Sequence, residues 1–238
     1  MDGSAPGFVR LDVRGTAGWI VLDRHERRNA LNGPMILGIE GGIARFAADP
    51  GVRCVILAST GTAFCAGADL GDAGNGATPP GIRIYARAAR AILGSPKPVL
   101  ARVQGPAVAG GVGLVAACHL AVGAEAARFS TPEVRSGLYP LMVHALIEAT
   151  VGRKRAFSLG LLGVELDAGA ALGAGLLHEV VPACDLDRRI DELSAAMAGI
   201  PPDVMGMALG ALHSTAGMDA IARIDALQES LNRLDDAR

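Results

Sequence analysis

Gln104-Gly105-Pro106-Ala107-Val108-Ala109-Gly110-Gly111-Val112-Gly113-Leu114 joins the apolar run Pro98 to Val103 to a second apolar run that continues to Cys118. The first run reads as a buried strand and Gly110 to Cys118 as a helix. The first N–H groups of a helix have no partner inside it, and the helix dipole adds positive potential there, so this junction favours negative charge. The glycines have a second reading, in which they let the helix pack closely on a neighbour. Both stand. A third comes from Gly111-x-Gly113-x-x-Ala116, which matches the dinucleotide fingerprint, with Glu133 about 20 residues further on. It would make the chain an NAD-dependent dehydrogenase. Against it, the fingerprint should follow its strand at once and open the first βαβ unit. Here Gln104 to Gly110 intervene and the motif lies mid-chain.

Outward from this junction, strands alternate with helices. Phe8 to Arg14 and Gly18 to Leu22 flank a Gly-Thr-Ala-Gly turn and read as a β-hairpin. Asn32-Gly33-Pro34 opens a helix to about Ala48, which Asp49-Pro50-Gly51 ends. Val52 to Ser59 is rich in β-branched residues and reads as a buried strand. Gly71 to Gly81 is polar, rich in Gly and Pro, and expected to be mobile. Ile82 to Leu93 reads as a helix, Leu120 to Gly123 and Arg128 to Ser130 as short strands, and Pro132 as a turn opener. From Leu141 the pattern is mainly helical, with one strand near Leu176 to Val181. This alternation predicts an α/β fold that ends in helices.

Composition bounds the class. The chain has 238 residues, half of them hydrophobic and 19% charged, which suits one globular core and argues against disorder. Five Phe, two Tyr and one Trp leave the core to Ala, Val, Leu and Ile. A net charge of -2 gives no overall case for nucleic acid. The N-terminus lacks a basic region followed by an apolar run, and Val108 to Ala124 is short for a membrane span and carries His119. Cys54, Cys65, Cys118 and Cys184 form no Cys-x-x-Cys pair. They read as reduced thiols with no zinc site, in a cytoplasmic protein that does not bind membranes.

Three further segments can carry chemistry. Thr62-Ala63-Phe64-Cys65-Ala66-Gly67-Ala68-Asp69-Leu70 follows a buried strand. Its small residues let backbone approach a ligand, and a free N–H there can donate to an anionic oxygen. It also reads as a tight strand-to-helix turn with Asp69 as a cap. In Ser130-Thr131-Pro132-Glu133, Thr131 suits a cap and Glu133 the first turn. Glu133 is then either a capping acid or a general acid/base. Burial would raise its pKa and the helix start would lower it. Arg24-His25-Glu26-Arg27-Arg28-Asn29-Ala30-Leu31-Asn32 reads as a solvated basic turn or as a phosphate grip. The histidines show no metal-ligand spacing, and there is no Gly-x-Ser-x-Gly elbow.

Taken together and in order, Arg-x-Glu-Arg-Arg-Asn-Ala-Leu-Asn, Phe-Cys-Ala-Gly-Ala-Asp-Leu, Gly-Pro-Ala-Val-Ala-Gly-Gly-Val-Gly-Leu and Ser-Thr-Pro-Glu-Val-Arg-Ser-Gly-Leu-Tyr-Pro resemble the crotonase (enoyl-CoA hydratase/isomerase) superfamily. Ala171-Leu172-Gly173-Ala174-Gly175-Leu176-Leu177-His178-Glu179-Val180-Val181 is similar to its later helical part, so the resemblance covers about residues 8 to 236. It implies a spiral of ββα units to about residue 183, then a helical, oligomerising region over 184–238, assembled as a trimer or hexamer. It implies an acyl-CoA thioester as substrate, with coenzyme A part of that substrate and no separate cofactor. By position, the N–H groups of Ala68 and Gly110 would form an oxyanion hole and Glu133 would be the catalytic acid. Gly111, Ala66, Asp69, Leu70, Arg27 and Arg28 would lie along the coenzyme A.

The departures from the pattern matter. Hydratases of the family usually carry two glutamates, and the first would fall at Gly113, which has no side chain. The aspartate used by related dienoyl isomerases and dehalogenases would fall at Leu141. His119 stands where an aspartate is common. One carboxylate suffices to move a proton between two carbons, as in double-bond isomerisation, but is less suited to activating a water. Hydratase is the commoner label in the family and isomerase the alternative. An acyl-CoA binding protein without chemistry is a third reading.

Overall fold

The computed structural model describes residues 8–72 and 80–235. Residues 73–79, most of the stretch expected to be mobile, lie outside the described residues. In chain order the strands are β1 (Val9–Arg14), β2 (Ala17–Leu22), β3 (Cys54–Ser59), β4 (Val99–Val103), β5 (Ala107–Val108), β6 (Leu120–Ala124), β7 (Arg128–Ser130), β8 (Glu165–Asp167) and β9 (Glu179–Val181). The helices are α1 (Gly33–Ala48), α2 (Pro80–Leu93), α3 (Gly110–Ala117), α4 (Leu141–Val151), α5 (Arg153–Leu162), α6 (Ala168–Gly173), α7 (Leu186–Ala198), α8 (Pro202–Ser214) and α9 (Ala220–Asp235).

Six strands form one sheet in the order β1-β2-β3-β4-β6-β9, and three form a second, β5-β7-β8. Among the described residues, only the β1/β2 hairpin of the large sheet is antiparallel, with Val9 opposite Leu22 and Arg14 opposite Ala17. From β2 onward the pairs are parallel. Among the described residues the order never reverses, so this sheet shows no switch-point crevice of the kind that receives a dinucleotide. The dehydrogenase reading of Gly111 and Gly113 fails on that ground. The strand expected over Leu176 to Val181 is shorter, because Leu176 and Leu177 spend their N–H groups on Ala171 O before β9 begins. Sequence patterning missed β5 and β8, which are two and three residues long.

Both faces of the large sheet are covered, and the period of two decides which residue goes where. Ile20, Leu22, Val55, Leu57, Val99, Ala101 and Val103 point to one face, beside Met35, Ile36, Ile39 and Phe46 of α1 and Ala88 and Ile92 of α2. Trp19, Val21, Cys54, Ile56, Ala58 and Leu100 point to the other, where Leu186 and Ile190 of α7 cover them. The expected boundary at residue 183 falls between β9 and α7, and α7 covers the second face of the large sheet. Asn32 caps α1 by accepting the Met35 N–H at 3.0 Å, with Pro34 in the first turn.

The C-terminal helices also touch the sheet through a histidine pair. Val99 N donates to His119 Nδ1 at 3.1 Å, so the proton of the neutral ring sits on Nε2, which meets His213 Nε2 of α8 at 3.3 Å. Burial first, then the neighbouring His213, pushes the His119 pKa down from 6.5 to about 4. The unfolded chain thus binds the extra proton first. This contribution to stability is complete above pH 6.5 and is lost as pH falls toward 4. Urea midpoints should fall across that window, and His119→Asn should flatten the fall.

Candidate active site

Three parallel stretches of chain lie side by side. Cys65 N donates to Pro106 O at 3.2 Å and Val108 N to Cys65 O at 2.8 Å, which pairs Cys65 with Ala107. Ala107 and Val108 pair in turn with Phe129 and Ser130. Counted from the paired residues Cys65, Ala107 and Phe129, Ala68 and Gly110 stand three positions on and Glu133 four. Because the stretches run the same way, all three emerge at the same end.

The backbone hydrogen bonds leave specific donors over. From residue 64 to 69, Phe64 and Cys65 donate to Pro106 O, Ala66 to Arg28 O, Gly67 to Cys65 Sγ and Asp69 to Leu31 O. Ala68 is passed over. It sits opposite Leu31 in a parallel bridge that uses Gly67 O and Asp69 N, so its own N–H faces the other way. At the start of α3, Val112 and Gly113 both donate to Ala109 O, while the N–H groups of Gly110 and Gly111 find no acceptor among the described residues. Ala109, just before them, has φ 52° and ψ -120°, a strained setting for alanine that fixes the Gly110 peptide.

Two glycines let these stretches meet. Gly67 has φ +88°, and a Cβ there would lie 2.8 Å from the Ala109 Cβ. A Cβ on Gly111 would lie 2.7 Å from Cys65 O. Close packing and free N–H groups, the two readings of the glycine-rich junction, are parts of one arrangement.

Glu133 follows β7 in a 3-10 turn, Pro132–Ser136. Thr131 makes no capping hydrogen bond. The Glu133 side chain is half-buried, and its Oε2 is buried without a partner among the described residues. Burial raises its pKa, against the lowering effect of its own N–H, and burial wins.

The remaining candidates divide. Arg27 and Arg28 are exposed, and Leu70 exposes 59% of its surface. Ala66 is partly open. Asp69 is buried in an ion pair with Arg24, and its Oδ1 accepts the Gly71 N–H. Burial opposes its charge, but Arg24 and the Gly71 N–H hold the carboxyl below its usual range. Its side chain thus ties down the loop and caps the following 3-10 turn. Asn29 is fully buried and bonds Thr60 O, Ala63 O and Arg24 N, which ties the basic turn to the Ala68 loop. His144 is engaged by Tyr139 at 3.1 Å and Glu148 at 3.4 Å. Reading by sequence missed Tyr85 of α2, whose Oη donates to Gly110 O at 2.8 Å. Its spacing with Ala88, Ala89 and Ile92 marks a core position, and only the phenol sets it apart.

A continuous spiral of parallel strands, a small second sheet and these motifs define a crotonase-superfamily protein. The family model described as enoyl-CoA hydratase/isomerase matches residues 14–236, and the chain belongs to that family. A Thermus thermophilus protein, named provisionally as an enoyl-CoA hydratase, is 37% identical over 175 residues, covering 71% of this chain and 69% of that one. The zebrafish (Danio rerio) mitochondrial enoyl-CoA hydratase domain-containing protein 3 is 30% identical over 233 residues, 91% of this chain and 80% of that one. The crystal structure of a Mycobacterium smegmatis enoyl-CoA hydratase superposes with a TM-score of 0.90 at 28% identity, covering 95% of this chain and 90% of that one.

Gly111→Ala tests the geometry. The added methyl meets backbone at Cys65 O, so the helix start must move off the loop. We expect a loss of about 1–3 kcal/mol in urea unfolding, as for other overpacked sites.

Proposed function

We propose that this protein is an enzyme acting on an acyl-CoA thioester, with the Ala68 and Gly110 N–H groups as its oxyanion hole and Glu133 as its single general acid/base. The observation that carries this is the pair of unspent N–H groups emerging at the same end as a half-buried carboxylate with an unpartnered oxygen. Removing a proton next to a thioester builds negative charge on the thioester oxygen. Two fixed donors aimed at that oxygen stabilise the charge, each worth about 3–4 kcal/mol. A partly desolvated Glu133 is a stronger base than an exposed one. Arg27 and Arg28 are open to the phosphates of coenzyme A, while Ala66, Gly111 and Leu70 offer small or apolar contact along it. The Asp69 part of that contact runs through its backbone, since its carboxylate is held by Arg24.

The names of the relatives support enoyl-CoA hydratase as the label. Gly113 and Leu141, which leave Glu133 as the one carboxylate of the motif positions, support double-bond isomerisation. The reading includes no cofactor beyond the substrate's own coenzyme A, since backbone N–H groups do the electrostatic work. It includes a cytoplasmic location, which the four free cysteines support. It also includes a trimer or hexamer, supported by the exposed apolar side chains Leu141, Leu162, Ile221 and Ile224.

Acetyl-CoA should bind in a calorimeter and NAD should not; the reverse would overturn the reading. Glu133→Gln keeps the shape and removes the proton carrier. Turnover should fall about 100- to 10,000-fold with acyl-CoA affinity nearly unchanged. Wild-type rates in the variant would reduce Glu133 to a structural acid, and binding without turnover on any enoyl-CoA would make the protein a carrier.

A further inference from the structure

Position 113 is more than a missing acid, because the space beside it is filled. A Cβ built on Gly113 would lie 2.3 Å from Tyr85 Oη, 3.2 Å from Val143 Cγ2 and 3.3 Å from Leu146 Cδ1. Tyr85 reaches this spot from α2, is 5% exposed, and is fixed there by donating to Gly110 O at 2.8 Å. No side chain fits at 113 while the phenol is in place. The residue whose N–H is the proposed oxyanion donor is thus the same residue whose carbonyl holds the phenol.

We propose that Tyr85 determines the reaction specificity of this pocket: its side chain occupies the space where a second acid and an activated water would stand, so a proton taken by Glu133 returns to the substrate. The inference rests on the acyl-CoA reading above. Burial raises the Tyr85 pKa well above its usual value, and the negative charge of an ionised Glu133 adds to the effect, so the phenol stays protonated and supplies no second base. The chemistry then closes on one carboxylate. Glu133 takes a proton from the α-carbon of a 3-enoyl thioester. The C–H electron pair moves into a dienolate, with its charge on the thioester oxygen. The protonated Glu133 gives the proton to the γ-carbon, and the dienolate collapses to the 2-enoyl thioester. Nothing is consumed and no water enters.

The test is the ratio of 2-enoyl-CoA hydration to 3-enoyl-CoA isomerisation in wild type, Tyr85→Phe and Tyr85→Ala. Wild type should favour isomerisation. Tyr85→Ala opens the slot and should raise the ratio at least about tenfold, a change of about 1.4 kcal/mol in relative barrier. Tyr85→Phe keeps the ring but removes the oxygen nearest position 113, so its ratio should lie between those of wild type and Tyr85→Ala. A purely structural tyrosine would depress both rates together and leave the ratio alone. If Tyr85→Ala does not fold, Tyr85→Leu provides the same comparison. An unchanged ratio in a variant that binds acetyl-CoA normally would overturn the proposal and leave the acyl-CoA reading intact, as would faster hydration than isomerisation by wild type. A wild type that turns over neither substrate would overturn both.

Discussion

The contact between the Cys65–Asp69 loop and the start of α3 is the constraint on which the pocket depends. Backbone meets backbone there: Cys65 bonds Pro106 and Val108, and the Cα of Gly111 lies against Cys65 O with no room for a methyl group. Buried N–H groups are almost always paired. In this loop the pairing proceeds residue by residue until the alternation of a parallel bridge turns Ala68 outward. The helix start leaves Gly110 in the same condition for a different reason, since the first N–H groups of a helix have no carbonyl behind them. Two unrelated rules of backbone geometry thus leave donors unspent among the described residues, and the parallel Cys65–Ala107 bridge lays the two stretches side by side. The strained Ala109 is held between them by its N–H bond to Ser130 O.

The electrostatics follow from the packing. Glu133 emerges from the neighbouring strand β7, half out of water, with one oxygen unpaired among the described residues. Asp69, four positions past Cys65, is also buried but has Arg24 beside it and stays strongly acidic. Two carboxylates in adjoining elements are therefore driven in opposite directions. The one with a guanidinium partner fixes structure, and the one without keeps its capacity to exchange a proton. The four motifs of the sequence are parts of one assembly. The basic turn holds the loop through Arg24 and Asn29, the loop holds α3, and α3 holds Tyr85.

Much of this was legible in the sequence wherever a local rule governs. The hairpin around Gly15, the Asn32 cap with Pro34 behind it, and the apolar, β-branched run Val52 to Ser59 are set by neighbours in the chain, and they fold as their patterns imply. The glycines of the junction announced close backbone approach, although not what approached. What could not be read depends on distant partners. β5 and β8 are too short for any periodicity and exist because β7 lies between them. Tyr85 sits at a core spacing, and only folding puts its hydroxyl against Gly110 and Gly113. The pKa of Glu133 turned on burial against the helix start, and tertiary packing decided that contest.

The central claim is that Ala68 and Gly110 share one ligand oxygen. A crystal structure of the protein with a non-hydrolysable acyl-CoA analogue measures this directly. The account predicts the oxygen that stands for the thioester carbonyl about 2.7–3.1 Å from both backbone nitrogens, with the Glu133 carboxylate facing the acyl carbons. An analogue bound with that oxygen in contact with neither nitrogen, or with Glu133 turned away from the acyl chain, would contradict it.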